Sequence, residues 1–362
     1  MEQSSTQKLN PVTVMLTASG SQFAPGIIKC LKKNGERDIT VIGGDMCDDP
    51  TNRYLVDKFY QIPAARDPHY AEAIAAICQK EHVDILLPQM SAELPAYFAH
   101  LDLFQKAGTI VSMTRTENVN IANNKLSLFQ FMDKNGIPTP QYQGVSSMEE
   151  FEAAVSEMGY PKKPICVKMT ELSGSRGVRV IDESKSKFDL FAHEKPVSLF
   201  VTLDDMKEIL EDVDVFPELM LMEYLPGDEL NIDLLAEDGK VLYTAGRRDP
   251  VMLMSISQES ILEYDERADR ISRMLVEKLG LDGNIGFDFK YDADGKAQLL
   301  EINPRIDATV SIMAAGGLNL PYLRVKQLLG EKLPEVDVQY GTRLKRRYDE
   351  MFTNADGQII DW

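Results

Sequence analysis

Two carboxylates, a carboxamide and an arginine lie within residues 287–305, FDFKYDADGKAQLLEINPR, at spacings that suit a divalent cation held against phosphate. Asp294-Gly295, between two strand-forming runs, reads as a two-residue type I′ turn, whose central positions need φ > 0. That register sets Asp288 opposite Glu301. Directly opposed residues have Cβ atoms about 5 Å apart, and two unit negative charges at that separation repel by roughly 3 kcal/mol at an effective dielectric of about 20. A divalent cation reverses the sign. Asn303, two residues beyond Glu301, points the same way and adds a neutral oxygen, giving a hard all-oxygen set that suits Mg²⁺ holding phosphates. A solvated polar face of an antiparallel hairpin would carry the same residue types, so other segments must decide between the two.

Residues 164–181, PICVKMTELSGSRGVRVI, read as strand, loop, strand, with Cys166 and Lys168 on one face and Ile165, Val167 and Met169 on the other. The small loop Ser173, Gly174, Ser175, Arg176, Gly177 lets backbone N–H groups approach phosphate oxygens while Lys168 reaches in as a point charge. It is not a Walker A loop, because no Gly-Lys-Ser/Thr opens a helix. An ordinary hairpin tip with a snorkelling lysine is the plainer alternative. In residues 219–236 two apolar strands flank the turn Leu225-Pro226-Gly227-Asp228, as a hinge wall or an ordinary amphipathic hairpin. Glu229, Asn231 and Asp233 share one face there, so Glu229 is placed to accept hydrogen bonds from sugar hydroxyls.

Arg247 and Arg248 point to opposite sides of an extended segment, so one of them can grip a carboxylate substrate in bidentate fashion, with a surface ion pair as the alternative. Asp307 follows closely and is placed to orient Arg305 or an incoming amine. Met252 and Met254 suit either an apolar substrate pocket or core packing. Cys166 reads as a small core residue, and His69, His82, His100 and His193 lie outside these segments and are expected to be noncatalytic.

The positioning elements begin with VTVMLT, a small-residue turn, the helix IIKCLKKNG and the strand ITVIGGD. Helices near 69–80 and 94–106 alternate with the strands DILLPQ and GTIVSM, which predicts an open parallel sheet, Rossmann-like in organisation. Gly20 and Gly26 are six apart with Pro25 between them, so the dinucleotide fingerprint is absent. A helical connector follows over 116–136, capped by Asn120 or Asn123, and from Pro138 the pattern changes to an α+β module reaching Gly330. The acidic stretch 195–217 reads as a solvated helix and loop, and 331–362, with its GTRLKRR cluster, as a surface tail, with a lid or an oligomer contact as the alternative. The expected division is therefore 10–115, 116–192, 193–330 and 331–362.

In this order the segments resemble the ATP-grasp superfamily, specifically its carbamoyl-phosphate synthetase large-subunit-like branch of carboxylate-amine ligases. The resemblance runs from Val12 to Gly330 and implies a Rossmann-like domain followed by a two-subdomain ATP-grasp module, α/β plus α+β. It makes ANNKLSLFQFMDKNGIPTP the entry to the module, with Lys125 as the first phosphate-contacting lysine and Asn124 where an aspartate often stands. By the same resemblance Lys168 contacts the α- and β-phosphates, the loop Ser173, Gly174, Ser175 covers them, and Glu223 and Leu225, flanking Tyr224, meet the adenine through their backbone. Glu229 takes the ribose. Asp288, Glu301 and Asn303 match the magnesium ligands, and Asn303-Pro304-Arg305 matches a signature whose arginine faces the transferred phosphoryl group. The implied reaction activates a small carboxylate as an acyl phosphate for attack by an amine, using ATP and one or two Mg²⁺ ions that Mn²⁺ can replace. A phosphotransferase and a noncatalytic nucleotide sensor are the alternatives.

Bulk composition agrees. The 362 residues, 44% hydrophobic, suffice for two or three domains, and a net charge of −18 argues against nucleic-acid or anionic-membrane partners. ATP in so acidic a chain needs local cations, which Lys125, Lys168 and Arg305 supply beside Mg²⁺. The 4 cysteines form no CxxC pair and no apolar run approaches membrane-spanning length, so a cytoplasmic protein is expected. The expected partners are a small carboxylate and an amine, with a homodimer as the assembly to test.

Overall fold

A computed structural model describes residues 8–115, 118–172, 176–194, 198–253, 256–347 and 349–360. The N-terminal domain is a parallel sheet of β1 (Val12–Thr17), β2 (Ile39–Asp45), β3 (Lys58–Gln61), β4 (Ile85–Leu87) and β5 (Ile110–Val111), ordered β3-β2-β1-β4-β5. The apolar run of β1 is buried along nearly its whole length, as a strand covered on both faces requires. Pro25 sits in the first turn of α1 (Ala24–Lys32), where a missing N–H costs nothing, and Gly35 takes φ +80 just beyond its end. α2 (Tyr70–Glu81) covers the sheet, but the expected single helix over 94–106 is two, α3 (Leu94–Ala99) and α4 (Leu101–Ala107). His100 leaves helical geometry between them, its Nδ1 3.0 Å from the Ala96 carbonyl oxygen. The edge strand β3, a half-exposed KFYQ, has no apolar alternation and was not foreseen.

The connector is α5 (Val119–Asn123) and α6 (Lys125–Lys134), and neither expected asparagine caps the second helix. Asn124 does so, accepting from the Ser127 N–H at 2.9 Å, because its extended backbone breaks the helix one residue before Lys125. A second sheet follows, ordered β6-β10-β7-β8-β9, from β6 (Tyr142–Val145), β7 (Ile165–Met169), β8 (Val178–Ile181), β9 (Phe200–Val201) and β10 (Leu219–Glu223). Its helices are α7 (Met148–Glu157), α8 (Lys187–His193) and α9 (Leu203–Glu211). The acidic stretch is thus not merely solvated. β9 joins the sheet, Met206 and Leu210 are buried, and a Thr202/Asp205 capping box starts α9.

The third sheet is ordered β15-β14-β11-β12-β13-β16, from β11 (Glu229–Glu237), β12 (Lys240–Leu253), β13 (Ile256–Leu262), β14 (Gly283–Tyr291), β15 (Ala297–Asn303) and β16 (Arg343–Lys345). β10 and β11 therefore do not form a hairpin. The turn at 225–228 carries the chain from the second sheet to the third, so the second sheet runs past 193, where the sequence division falls. Gly227 N–H donates to the Tyr291 carbonyl at 2.9 Å and Tyr291 N–H to that of Asp228 at 3.1 Å, tying this linker to the end of β14. α10 (Glu266–Leu279) packs its apolar face on the third sheet, capped by Asp265.

α11 (Ser311–Ala315) and α12 (Leu320–Leu328) share a core with α1 and β1, and the Arg37 guanidinium bonds the Tyr322 hydroxyl and Glu331, which locks the N-terminal domain to the rest. Nor are residues 331–347 a loose tail: Leu333, Val336 and Val338 pack on that core, and β16 pairs with β13. Beyond them β17 (Phe352–Thr353) and β18 (Ile359–Ile360) make a small hairpin. Among the described residues no helix is long and apolar enough to cross a membrane.

The β14–β15 hairpin reaches the expected Asp288–Glu301 pairing by another route. The tip is not a two-residue turn: Gly295 alone takes positive φ (+74), its N–H donates to the Asp292 carbonyl, and Asp292 N–H bonds to the Lys296 carbonyl. That longer loop pairs Phe289 with Leu299, which by itself would set Leu300 opposite Asp288. An irregularity between Asp288 and Phe289 restores Asp288 to Glu301, so Leu300 is the extra residue of a bulge.

Two predictions follow from these contacts. A Cβ on Gly227 would lie 2.6 Å from the Tyr291 Cβ, so Gly227→Ala should lower unfolding stability by about 1–3 kcal/mol, measured by urea denaturation. Burial lifts the Glu93 carboxyl to about 7, although hydroxyls of Thr17 and Tyr97 donate to it. The folded state holds this proton when the unfolded chain has lost it, so stability falls as pH rises from about 4.5 to about 7. Glu93→Gln should remove that slope, worth on the order of 3 kcal/mol, in urea titrations at low and high pH.

Candidate active site

Between the second and third sheets lies a cavity of about 460 Å³, within the range of small-molecule sites. On β14, Phe287 and Phe289 are fully buried in the core. Each contributes about 1.5–3 kcal/mol by burial, and because side chains alternate, that burial fixes Asp288 and Lys290 on the cavity face. On β15 the bulge puts both Leu300 and Glu301 on this face, with Asn303 beyond. β7 contributes Cys166 and Lys168 opposite its core residues Ile165 and Val167. Lys125 enters from the first turn of α6.

Every described residue assigned to the site from sequence lines this one cavity: Lys125, Lys168, Glu223, Tyr224, Leu225, Glu229, Arg247, Asp288, Glu301, Asn303 and Arg305. Ser173, Gly174 and Ser175 lie outside the described residues, as does Met254; Met252 lines the cavity. One end is an apolar slot of Val178, Val180, Phe200, Met222 and Leu225 beside Tyr224, with the Lys290 ammonium 5.6 Å from the tyrosine ring centre. The Glu223 N–H donates to the Gln141 carbonyl at 2.9 Å, so that group is already engaged. Sequence reasoning missed Lys290, although it shares the strand face of Asp288 two residues earlier. It also missed Phe200, hidden in the acidic stretch, and Phe23, which reaches the far end from the N-terminal domain.

The centre of the cavity is electrostatically lopsided. Asp288 Oδ2 accepts from Asn303 Nδ2 at 2.9 Å, while Asp288 Oδ1 is buried without a hydrogen-bond partner. Burial, with the charges of Glu301, Asp307 and Glu229, pushes the Asp288 carboxyl well above the usual carboxylate range. Burial raises Glu301 as well, but the charge and hydrogen bond of Lys125 and the charge of Lys168 outweigh it and hold Glu301 below that range. Lys125 Nζ stands 2.9 Å from Glu301 Oε2 and donates to the Leu172 carbonyl at 2.6 Å. Two cross-strand carboxylates, a carboxamide and an orphaned buried oxygen fit Mg²⁺. Among the described residues no group of three or more His, Cys, Asp or Glu side chains is arranged around a metal position.

Arg305 is oriented by Asn303, whose Oδ1 accepts from it at 3.0 Å, and by the Ile306 carbonyl at 3.0 Å. Asp307 does not touch it by hydrogen bond, contrary to the expectation from sequence; it accepts instead from Arg247 at 2.7 Å and from the Thr309 N–H at 2.8 Å. Nor is Arg247 free to clamp a substrate. It is 3% exposed and bonds Asp233, Asp249 and Asp307. Asp249 also accepts from Asn231 at 2.7 Å and from Ser257 at 2.9 Å, so the cluster underlies the cavity floor. Burial lifts Asp233 to about 7 despite Arg247. Arg248, on the other strand face as expected, bridges Asp228 and Glu263.

The fold is similar to that of ATP-grasp proteins. Residues 215–349 match the family model described as ATP-grasp in the biosynthetic pathway with Ter operon, and residues 14–112 match the PylC-like N-terminal domain. The large chain of carbamoyl phosphate synthase from Clostridium acetobutylicum is 25% identical over 288 residues, 76% of this chain. The chain spans about a quarter of that relative's length (25%). An ADP complex of N5-carboxyaminoimidazole ribonucleotide synthetase superposes with a TM-score of 0.64 at 17% identity, covering 92% of this chain and 81% of that one. The biotin carboxylase domain of Hydrogenobacter thermophilus 2-oxoglutarate carboxylase, a structure with MgADP and bicarbonate, gives 0.66 at 18% identity, covering 91% and 72%.

Removing the central cation of the buried cluster leaves its aspartates uncompensated. Arg247→Met is expected to cost about 3–5 kcal/mol of stability, measured by urea unfolding. Arg247→Lys should recover only part of this, because an ammonium cannot span the separate carboxylates.

Proposed function

We propose that the chain is an ATP- and Mg²⁺-dependent ligase that activates a small carboxylate as an acyl phosphate and passes it to an amine, releasing ADP and phosphate. The observation that carries this reading is the cross-strand pair Asp288 and Glu301, with an orphaned Asp288 oxygen, facing one cavity with Lys125, Lys168 and Arg305. A nucleotide sensor needs only the apolar slot and the lysines. Arg305, held by Asn303 beside the metal pair, is the added feature that phosphoryl transfer requires.

In this reading the apolar slot beside Tyr224 receives the adenine and the buried Glu229 the ribose. Burial raises the Glu229 carboxyl, which favours hydrogen bonding over a bare charge. Lys168 binds phosphate as a point charge. Asp288, Glu301 and Asn303 would hold Mg²⁺, which when bound would supply charge stabilisation to a phosphoryl group, and the same oxygen set would accept Mn²⁺. Arg305 faces the acceptor carboxylate and the transferred phosphoryl group. Arg247 acts through its neighbours, neutralising the aspartates beneath the floor and keeping Asn231 in place. The acceptor side is the cavity end of Phe23, Met252, Ser257 and Thr309. ADP, MgADP and bicarbonate in the structural neighbours support nucleotide chemistry on this scaffold.

Incubating the protein with ATP, Mg²⁺ and mixed carboxylates and amines, with ADP release and mass spectrometry as readouts, tests the proposal. Amine-dependent phosphate release supports a ligase, whereas a persistent phosphoester without amine, or no turnover with intact ATP binding, rejects it. Glu301→Gln should lower kcat by roughly 10²-fold or more without loss of fold by circular dichroism. Lys168→Ala should chiefly raise the KM for ATP.

A further inference from the structure

We propose that Lys125 is a removable counter-ion of the metal site: nucleotide phosphate must draw its ammonium off Glu301 before a divalent cation binds tightly. The proposal rests on reading Asp288, Glu301 and Asn303 as the metal ligands. Lys125 is 6% exposed, and its Nζ makes two contacts, 2.9 Å to Glu301 Oε2 and 2.6 Å to the Leu172 carbonyl. Its backbone N–H donates to the Thr170 carbonyl at 2.9 Å, so the base of the side chain is fixed too.

The two prospective carboxylate ligands consequently differ. Asp288 presents an oxygen with no partner, whereas Glu301 already carries a cation on Oε2. A divalent ion placed between them meets a buried ammonium beside the oxygen it needs, where little water screens the repulsion. The lysine leaves only for another anion within reach. The cavity supplies a place for one: Lys125 lines it together with Lys168 and Arg305, so phosphate drawn in by those cations competes for the same ammonium. Transfer of Nζ from Glu301 to phosphate opens the metal position and places a cation on the nucleotide. Metal and nucleotide then strengthen each other's binding through Lys125, and by linkage the effect is reciprocal.

Titration with Mn²⁺ alone, followed by the electron paramagnetic resonance signal of the free ion, tests this without turnover. Lys125→Met should bind Mn²⁺ at least tenfold tighter than the unaltered protein in the absence of nucleotide, and Lys125→Arg should not. Adding Glu301→Gln to Lys125→Met should erase the gain. If Lys125→Met does not fold, Lys125→Gln carries the same expectation with a polar group in place of the methyl thioether. Equal Mn²⁺ affinity in the neutral variants and the unaltered protein overturns the proposal. A parallel titration with ADP present separates the two readings. Unchanged Mn²⁺ binding in Glu301→Gln overturns the metal assignment itself, whereas weakened binding there with no gain in Lys125→Met or Lys125→Gln overturns the counter-ion role alone.

Discussion

The rest of the site depends on a repulsive pair. Asp288 and Glu301 are direct cross-strand partners, an arrangement that costs free energy unless cations stand beside it. The fold enforces the pairing from behind, because exposing Phe287 and Phe289 to relieve it would cost more than the repulsion itself. The strain is relieved asymmetrically: Lys125 holds the Glu301 carboxyl below the usual carboxylate range, while burial pushes that of Asp288 above it. A buried pair of this kind has little to recommend it as a source of stability, which is itself an argument for chemistry.

Around that pair the architecture separates labour by sheet. The second sheet supplies Lys168 and the apolar slot, and the third supplies the carboxylates, Asn303 and the Arg247 cluster. They are joined by residues 224–228, which leave the slot at Tyr224 and are bonded to the end of β14 at Tyr291. Tyr224 and Leu225 of the linker and Glu229 just beyond it line the cavity. The N-terminal domain reaches the cavity through Phe23, over which the Arg305 guanidinium lies 6.0 Å from the ring centre.

How far the sequence could be read varied with the range of the interaction. Strand alternation placed Cys166 with Lys168 correctly, because a period of two is local. The turn at Asp294-Gly295 was misread, and the correct pairing of Asp288 with Glu301 survived because the longer loop and the bulge at Leu300 each shift the register by one and cancel. Nothing in the local pattern announces such a bulge. The cap of α6 was missed by one residue, since Asn120, Asn123 and Asn124 are chemically equal and only the break in helical geometry selects among them.

From the chain alone came the residue types, the faces on which they lie and the order of the segments, since these follow from side-chain chemistry and backbone periodicity. Tertiary structure alone decided that residues 219–236 part into two sheets, that the acidic stretch lends Phe200 to the slot, and that residues 331–347 pack on the core. It likewise decided the partners of Arg247 and Lys125. An arginine or lysine in a sequence carries the same charge whether it is free to meet a substrate or already satisfied, and which of these holds depends on carboxylates brought from distant segments by the burial of other residues.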